Sequence, residues 1–462
     1  MCSTPENCLQ LIRTAIAGSK YENKLFIVGG YVRDKLLGLK VSNDVDIVLE
    51  YSALECVDFL FERGILDRRP ITYPRFGTAM VSVLGHEVEF VTARRESYVE
   101  DTRKPMVEIG ATLHDDAKRR DFTINTLLEN LSSGQIIDPL GCACADLRGL
   151  VLRTPVDASK TFSDDPLRML RAVRFSAKLN LRLSAEVLNA IQVNLKRLRI
   201  VSAERVRDEI FKIIMLADPE PGLRMLLETG LLTELVPEIA AMSGVNQNSF
   251  HDRDVWNHTL AVLAHIPASF GLNLRLAALF HDVGKPAART VDNTTVHFYK
   301  HEHVGETLCR TALTRLRVPT TIIDDVSLLV RNHMRIGAYS PIWTDGAVRR
   351  LVAELGPSLE SLFELYFADV SGLAPQFRSP EIGESLQARI AADTDSHPIS
   401  IFVSPLSGDQ LIDLLGVPAS PLIGRIKHYL QDEVIDGRLS PGDTEGAKIL
   451  AIAFKEREIP RW

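Results

Sequence analysis

The chain has 462 residues, 45% of them hydrophobic and 24% charged, with a formal net charge of −7. That length is too great for one hydrophobic core and calls for several domains, and the composition excludes a disordered, collagen-like or disulfide-scaffold protein. No apolar run reaches the roughly 20 residues of a membrane span, and the start "MCSTPENCLQ" lacks the basic-then-apolar pattern of a secretory leader, so no membrane partner and a cytoplasmic location are expected.

Up to about Leu152 strands and helices alternate. Strand "KLFIVGG" leads to helix "YVRDKLLG", strand "DVDIVLE" and an amphipathic helix "YSALECVDFLFERG"; "TAMVSVL" and "EVEFVTA" follow as a hairpin joined at Gly85-His86. This predicts a small α/β domain with a mixed sheet. From Asp164 onward the strand signal ends. "DDPLRMLRAVRFSAKL", "SAEVLNAIQVNLKRL", "SAERVRDEIFKIIML" and "PGLRMLLETGLL" have helical period, and both "SA" starts offer a capping serine. A second helical unit runs from about Asn248 to Leu373. "LAPQFRSPEIGESLQ" and "ADTDSHPIS" then read as a loosened stretch before a last helical region.

In a strand, residues i and i+2 face the same way, so Asp44 and Asp46 are expected to project together. Two like charges side by side make sense around a divalent cation, and carboxylate oxygens suit Mg²⁺. Gly29 and Gly30, where a strand meets a helix, supply backbone N–H groups for an anion. A phosphate cradle beside a metal clamp points to a nucleoside triphosphate. Glu89 on "EVEFV" is a further carboxylate, read either as a third ligand or as an ordinary polar face residue. Cys142 and Cys144 form the only close cysteine pair, and no second pair follows at zinc-finger spacing.

Two later stretches sharpen this reading. "AKRRDFTINTLL" puts Arg119, Arg120 and Asp121 ahead of an apolar segment. "DDPLRMLRAVRF" spaces Arg168, Arg171 and Arg174 by three, one ridge of a helix. Asp165 beside Arg168 offers an acceptor and a donor that can hydrogen-bond a base edge. From Arg148 to Lys212 there are 14 Lys/Arg against seven Asp/Glu, which is either a site for RNA phosphates or a solvated helical surface.

Gly29-Gly30-Tyr-Val-Arg33-Asp34, Asp44-x-Asp46, "RRDFTIN" and "DDPLRMLRAVRF", in this order, resemble the class II tRNA nucleotidyltransferases and bacterial poly(A) polymerases. The resemblance implies an α/β nucleotidyltransferase head (residues 1–152), then an all-α neck (153–240), a further metal-binding helical domain (241–375) and a C-terminal helical region (376–462). It implies that Asp44 and Asp46 are the catalytic Mg²⁺ ligands and that Gly29, Gly30 and Arg33 lie at the nucleotide phosphates. Arg120 and Asp121 fall in the ribose and phosphate motif. Asp165 and Arg168 would read CTP or ATP, and Arg171 and Arg174 continue that ridge. The family usually has Glu-Asp where this chain has Asp164-Asp165. The segment "RRESYVEDTRKPMVEIGATLHDDAKRRDF" looks like the flexible loop with which CCA-adding members switch from CTP to ATP.

Eight of the twelve histidines lie between His251 and His333. Imidazole is the commonest metal ligand, and mixed His/Asp sets suit Mn²⁺, Fe²⁺ or Ni²⁺. "HDVGKP" resembles the HD phosphohydrolases, whose ligand pattern falls on His258, His281, Asp282 and Asp369, with His301 and His333 as additional histidines of some members. His265 and His297 read as ordinary surface or core residues. The expectation is a metal-dependent enzyme adding CCA to the tRNA 3′ end from CTP and ATP, with a second divalent metal (Mn, Ni, Fe or Mg) at the HD site. The alternatives are a poly(A) polymerase, an HD phosphohydrolase with an RNA-gripping N-terminal half, and a non-enzymatic RNA-binding protein.

Overall fold

A computed structural model describes residues 4–41, 43–97, 106–247, 253–292, 295–396 and 404–458. His251 and the middle of the loop between the "DVD" strand and "RRDFT", residues 98–105, lie outside them. The chain divides into two compact units, Met1–Pro237 and Glu238–Trp462.

In the first unit, α1 (Pro5–Ile16) is capped by the Thr4 side chain and precedes β1 (Phe26–Val28), α2 (Gly30–Leu36), β2 (Val45–Leu49) and α3 (Ala53–Glu62), which Ser52 caps. Next come β3 (Ile71–Tyr73), β4 (Thr78–Val83) and β5 (His86–Thr92), then the ribbon β6 (Arg94–Ser97) and β7 (Met106–Ile109). After α4 (Leu113–Lys118) the sheet is completed by β8 (Leu128–Asn130) and β9 (Ile136–Ile137). Its order is β3-β4-β5-β2-β1-β8-β9. Only the β2–β5 pair within it is parallel, so the sheet is mixed as expected. Val28, Val48, Ala93 and Leu128 form a buried cluster around its centre.

The β4–β5 turn differs by one residue from the sequence reading. Leu84 (φ 52°) and Gly85 (φ 79°) are its central pair, as a two-residue turn with both φ positive requires, and His86 already belongs to β5. The Asp67 carboxylate accepts from both turn amides, at 3.1 and 2.8 Å.

The chain continues through α5 (Ala143–Arg148), β10 (Val151–Leu152), α6 (Ala158–Asp164), α7 (Leu167–Leu179), β11 (Arg182–Leu183), α8 (Ala185–Asn194), α9 (Ala203–Ile214), α10 (Glu220–Glu228), α11 (Leu231–Leu235) and α12 (Pro237–Ala240), where the second unit begins. Ser184 caps α8 through its side chain, whereas Ser202 makes no such bond to α9.

The second unit contains α13 (Val255–Ala264), α14 (Leu272–Phe280), α15 (Lys285–Ala288), a hairpin of β12 (Arg289–Asp292) and β13 (Thr295–Phe298), α16 (His301–Arg315), α17 (Thr320–Asn332), α18 (Met334–Gly337), α19 (Asp345–Leu355) and α20 (Leu359–Gly372). The last helices are α21 (Glu381–Ser396), α22 (Gly408–Leu415), α23 (Pro421–Ile435) and α24 (Thr444–Glu458). A core running from Leu406 to Ala451 holds α22, α23 and α24 together.

Two expectations need correction. Strands do not end at Asp164: β11 pairs in parallel with β10, and β12 with β13 forms an antiparallel hairpin. Every residue of β12 is exposed, so no hydrophobic alternation marks it. The loosened stretch after Leu373 contains the 16-residue α21. Pro380 and Gly383 punctuate its start, and only tertiary packing shows why Leu386, fully buried, belongs to a helix.

Two candidate functional sites

The first site forms where β1 runs out. Gly29 has φ 81°, which favours glycine, and a Cβ there would meet Asp46 Oδ2 at 3.6 Å and Arg120 Nη1 at 3.9 Å. Asp46 lies in register with Val28 on β1 and with Glu89 on β5. Asp44 precedes the strand and is exposed, whereas Asp46 is half-buried. Burial pushes the Asp46 carboxyl above its usual range; the Asp44 charge adds to this and Arg120 opposes it. Burial and then the Asp46 charge raise Glu89 in the same way, against Arg94, Arg119 and Arg120. Asp46 thus feels the charge of Asp44 on one side and of Glu89 on the other, and carboxylate oxygens are the donors that a hard divalent cation prefers.

The arginines of this unit are largely held by the protein itself. Arg120 and Arg119 both bind Asp116, at 3.0 and 2.7 Å, and Arg119 also binds Glu96 at 3.1 Å. Along the α7 ridge, Arg168 donates to the Arg119 carbonyl (2.6 Å), Arg171 to Asp121 (2.5 Å) and Arg174 to Glu209 (2.6 Å). Asp121 also accepts from Asn125 at 2.9 Å. Asp165 accepts from the Leu167 amide and lies 3.6 Å from Arg205. A cavity of about 220 Å³ is lined by Arg168, Arg119, Lys160 and Asp164, the residue that departs from the family pattern.

Arg33 points inward. It is 3% exposed, paired with Asp34 at 2.6 Å, bonded to Asn125 Oδ1 at 2.6 Å and packed over the Phe175 ring. It ties α2 to α7, and its guanidinium is committed to protein partners.

The second site is built from five segments. His258 sits on α13, His281 and Asp282 follow α14, His301 opens α16, His333 follows α17 and Asp369 lies on α20; all but Asp369 are at most 6% exposed. His258 Nε2 lies 2.9 Å from Asp369 Oδ1 and 3.8 Å from Asp282 Oδ2. His281 Nε2 lies 3.1 Å from Asp282 Oδ2 and 3.8 Å from Asp369 Oδ1. On the other side of the Asp282 carboxylate, Oδ1 lies 3.4 Å from His301 Nε2 and 3.8 Å from His333 Nε2.

The tautomers follow from the backbone. Nδ1 of His281, His301 and His333 each donates to a carbonyl three residues earlier, at 2.8, 2.9 and 2.7 Å. Their Nε2 atoms therefore face Asp282, with those of His301 and His333 also 3.1 Å from each other, and Nδ1 held by the backbone is the second-sphere arrangement of metal-bound histidines. His281 Nε2 has no hydrogen-bond partner of its own. Against the effect of its burial, Asp282 makes His281 hold a proton more tightly than usual, whereas burial and the neighbouring His281 push His333 down to about 3. Asp282 resists burial because His281 and Lys285 hold its carboxyl well below the usual range. His258, His281 and Asp282, and again Asp282, His301 and His333, are groups that can hold a metal ion. His265 is on the helix surface, bonded to the Ala261 carbonyl.

Residues 25–153 match the family model of the poly A polymerase head domain, 180–242 the probable RNA and SrmB-binding site of polymerase A, and 255–396 the HD domain. The A-adding tRNA nucleotidyltransferase of Deinococcus radiodurans is 32% identical over 72% of this chain and 77% of its own length. The CC-adding tRNA nucleotidyltransferase of Thermus thermophilus is 30% identical over 92% and 93%. The chain belongs to the tRNA nucleotidyltransferase and poly(A) polymerase family. The Bacillus stearothermophilus CCA-adding enzyme, solved in complex with CTP, shares the fold of this nucleotidyltransferase, with a TM-score of 0.68 at 24% identity over 99% of both chains.

Sequence reasoning passed over several residues that this nucleotidyltransferase uses to build its sites. Asp116 was legible, since it stands three and four residues before Arg119 and Arg120 on a helical turn. Glu209, 3% exposed and 35 residues from Arg174, carries no local signal. Cys142 and Cys144 are free thiols.

Proposed function

We propose that the head at residues 1–152 and the neck at 153–240 together add C, C and A to the 3′ end of tRNA from CTP and ATP. The observation that carries this reading is Asp46 on a central strand, in register with Glu89, charged against Asp44 and facing the Gly29 turn together with Arg120. Asp44 and Asp46 would hold Mg²⁺, which when bound lowers the barrier to attack of a 3′-hydroxyl on an α-phosphate. The triphosphate would lie along the turn at Gly29, which faces Asp46 and Arg120, with Arg120 as a cation there. Asp121, held by Arg171 and Asn125, would bind the ribose. Arg168, positioned by the Arg119 carbonyl, would present donors to the base edge while Asp165 accepts, so a wrong base leaves buried polar groups unpaired. The basic neck would hold the tRNA phosphates, and free thiols suit a cytoplasmic enzyme.

The relatives include A-adding and CC-adding enzymes, so partial addition shared with a partner enzyme is the second reading. Incubation with CTP, ATP and a tRNA lacking CCA, followed by sequencing of the product ends, separates the two. Ends of CCA support the first reading, C or CC the second, and long A tails a poly(A) polymerase.

For the second unit we propose metal-dependent hydrolysis of phosphate esters, with His258, His281, Asp282 and Asp369 as ligands for Mn²⁺, Ni²⁺, Fe²⁺ or Mg²⁺. The imidazole Nε2 atoms gathered around Asp282 support it.

A further inference from the structure

The second unit holds a cavity of about 420 Å³, within the range of about 300–1,000 Å³ usual for small-molecule sites. Its floor is polar, with Asp282, Asp369, His301 and His333; its wall is apolar, with Phe298, Phe377 and Leu373 among its lining. Lys285 joins the two: Nζ lies 2.7 Å from Asp282 Oδ2, 2.7 Å from Gln247 Oε1 and 5.7 Å from the centre of the Phe298 ring. With a divalent cation held by the carboxylates and imidazoles of that floor, such a cavity would be complementary to a ligand with an anionic head and a flat apolar body.

The lining also includes His297 and Tyr299. They stand two residues apart along the chain, and their rings stack at 5.1 Å with only 12° between their planes. Tyr299 is 69% exposed, so the stack contributes little to a core. Its position beside the metal-ligating floor makes it a surface on which a third ring can continue the stack.

We propose that Tyr299, backed by His297, is the platform for the base of a nucleotide whose phosphate ester lies on the His/Asp floor. Tyr299 is then a specificity-determining residue that selects nucleotide esters over phosphate esters without a ring. This rests on the reading of the second unit as a metal-dependent phosphoester hydrolase.

The test compares adenosine 3′-phosphate with glycerol 2-phosphate, using the full-length protein loaded with Mn²⁺. Tyr299→Ala is expected to raise KM for adenosine 3′-phosphate about 10–100-fold, the size of one lost base stack, with kcat nearly unchanged. Turnover of glycerol 2-phosphate should stay at the wild-type level, and Tyr299→Phe should restore the nucleotide KM. Equal losses on both esters, or an unchanged nucleotide KM, would overturn the platform. If the wild type hydrolyses neither ester, the hydrolase reading fails. Calorimetric binding of adenosine 3′-phosphate with Mn²⁺ then decides the platform: weakening by the same factor in Tyr299→Ala supports it, and equal affinity refutes it.

Discussion

Two aspartates in the first unit show how neighbours decide what a carboxylate does. Asp46 is raised by burial and by Asp44, so it is a strained anion that a bound cation relieves. Asp46→Asn keeps the shape and removes the charge. Nucleotide incorporation is expected to fall at least about 1,000-fold, while filter binding of tRNA stays nearly unchanged; retained turnover would remove Asp46 from the metal site. Asp121 has the opposite sign. Burial raises it, but Arg171 and the bond from Asn125 outweigh that and hold it at about 2. A carboxylate depressed in the fold stabilises above its unfolded pKa of about 3.9, and the contribution is lost as pH falls through about 2. One third of the Arg171 side chain is exposed, which discounts the gain. Asp121→Asn is therefore expected to cost about 1–2 kcal/mol at neutral pH in urea unfolding, with the cost shrinking from about pH 4 to about pH 2. A cost that does not depend on pH would assign the effect to packing.

At the scale of elements, the glycine of "HDVGKP" follows from backbone contact. A Cβ on Gly284 would lie 2.1 Å from the His301 carbonyl oxygen and 2.6 Å from the Gly305 amide nitrogen. Backbone atoms cannot yield as a side-chain tip does, so Gly284→Ala must push α15 away from α16 and separate His301 from Asp282. Its expected cost is about 2–3 kcal/mol, with weaker Mn²⁺ binding, measured by thermal unfolding with and without Mn²⁺. Unchanged stability would mean that the two segments need not approach so closely. In the first unit Glu209 plays the binding role between helices: from α9 it receives Arg174 of α7 at 2.6 Å, with Arg171 at 4.0 Å.

At the scale of the molecule, each compact unit holds one of the two candidate sites: Asp44, Asp46 and Arg120 in the first, and the His/Asp groups around Asp282 in the second. Their chemistries should therefore separate. His281→Ala is expected to abolish release of phosphate from adenosine 3′-phosphate and to leave CTP incorporation within about twofold of wild type, the scatter expected where two sites share no partner. Parallel loss of both activities would join the two sites into one.

The order Gly29-Gly30, Asp44-x-Asp46, "RRDFTIN" and "DDPLRMLRAVRF", and the His281-Asp282 doublet, were legible in the sequence because each is a local pattern of side-chain chemistry at strand or helix spacing. The mixed sheet followed from alternation in "DVDIVLE" and "EVEFVTA". That the Glu89 strand neighbours the "DVD" strand was an expectation from the sequence; only the tertiary structure gave the parallel register that sets Glu89 opposite Asp46, 43 residues apart. Only it turned Arg33 inward onto Asp34 and Asn125, set Glu209 against Arg174 and gathered His301 and His333 around Asp282. It also revealed the β12–β13 hairpin, whose exposed first strand leaves no periodic trace. The physical reason is range: propensity and spacing act over a few residues, whereas charge pairing and packing depend on which distant elements the fold brings together.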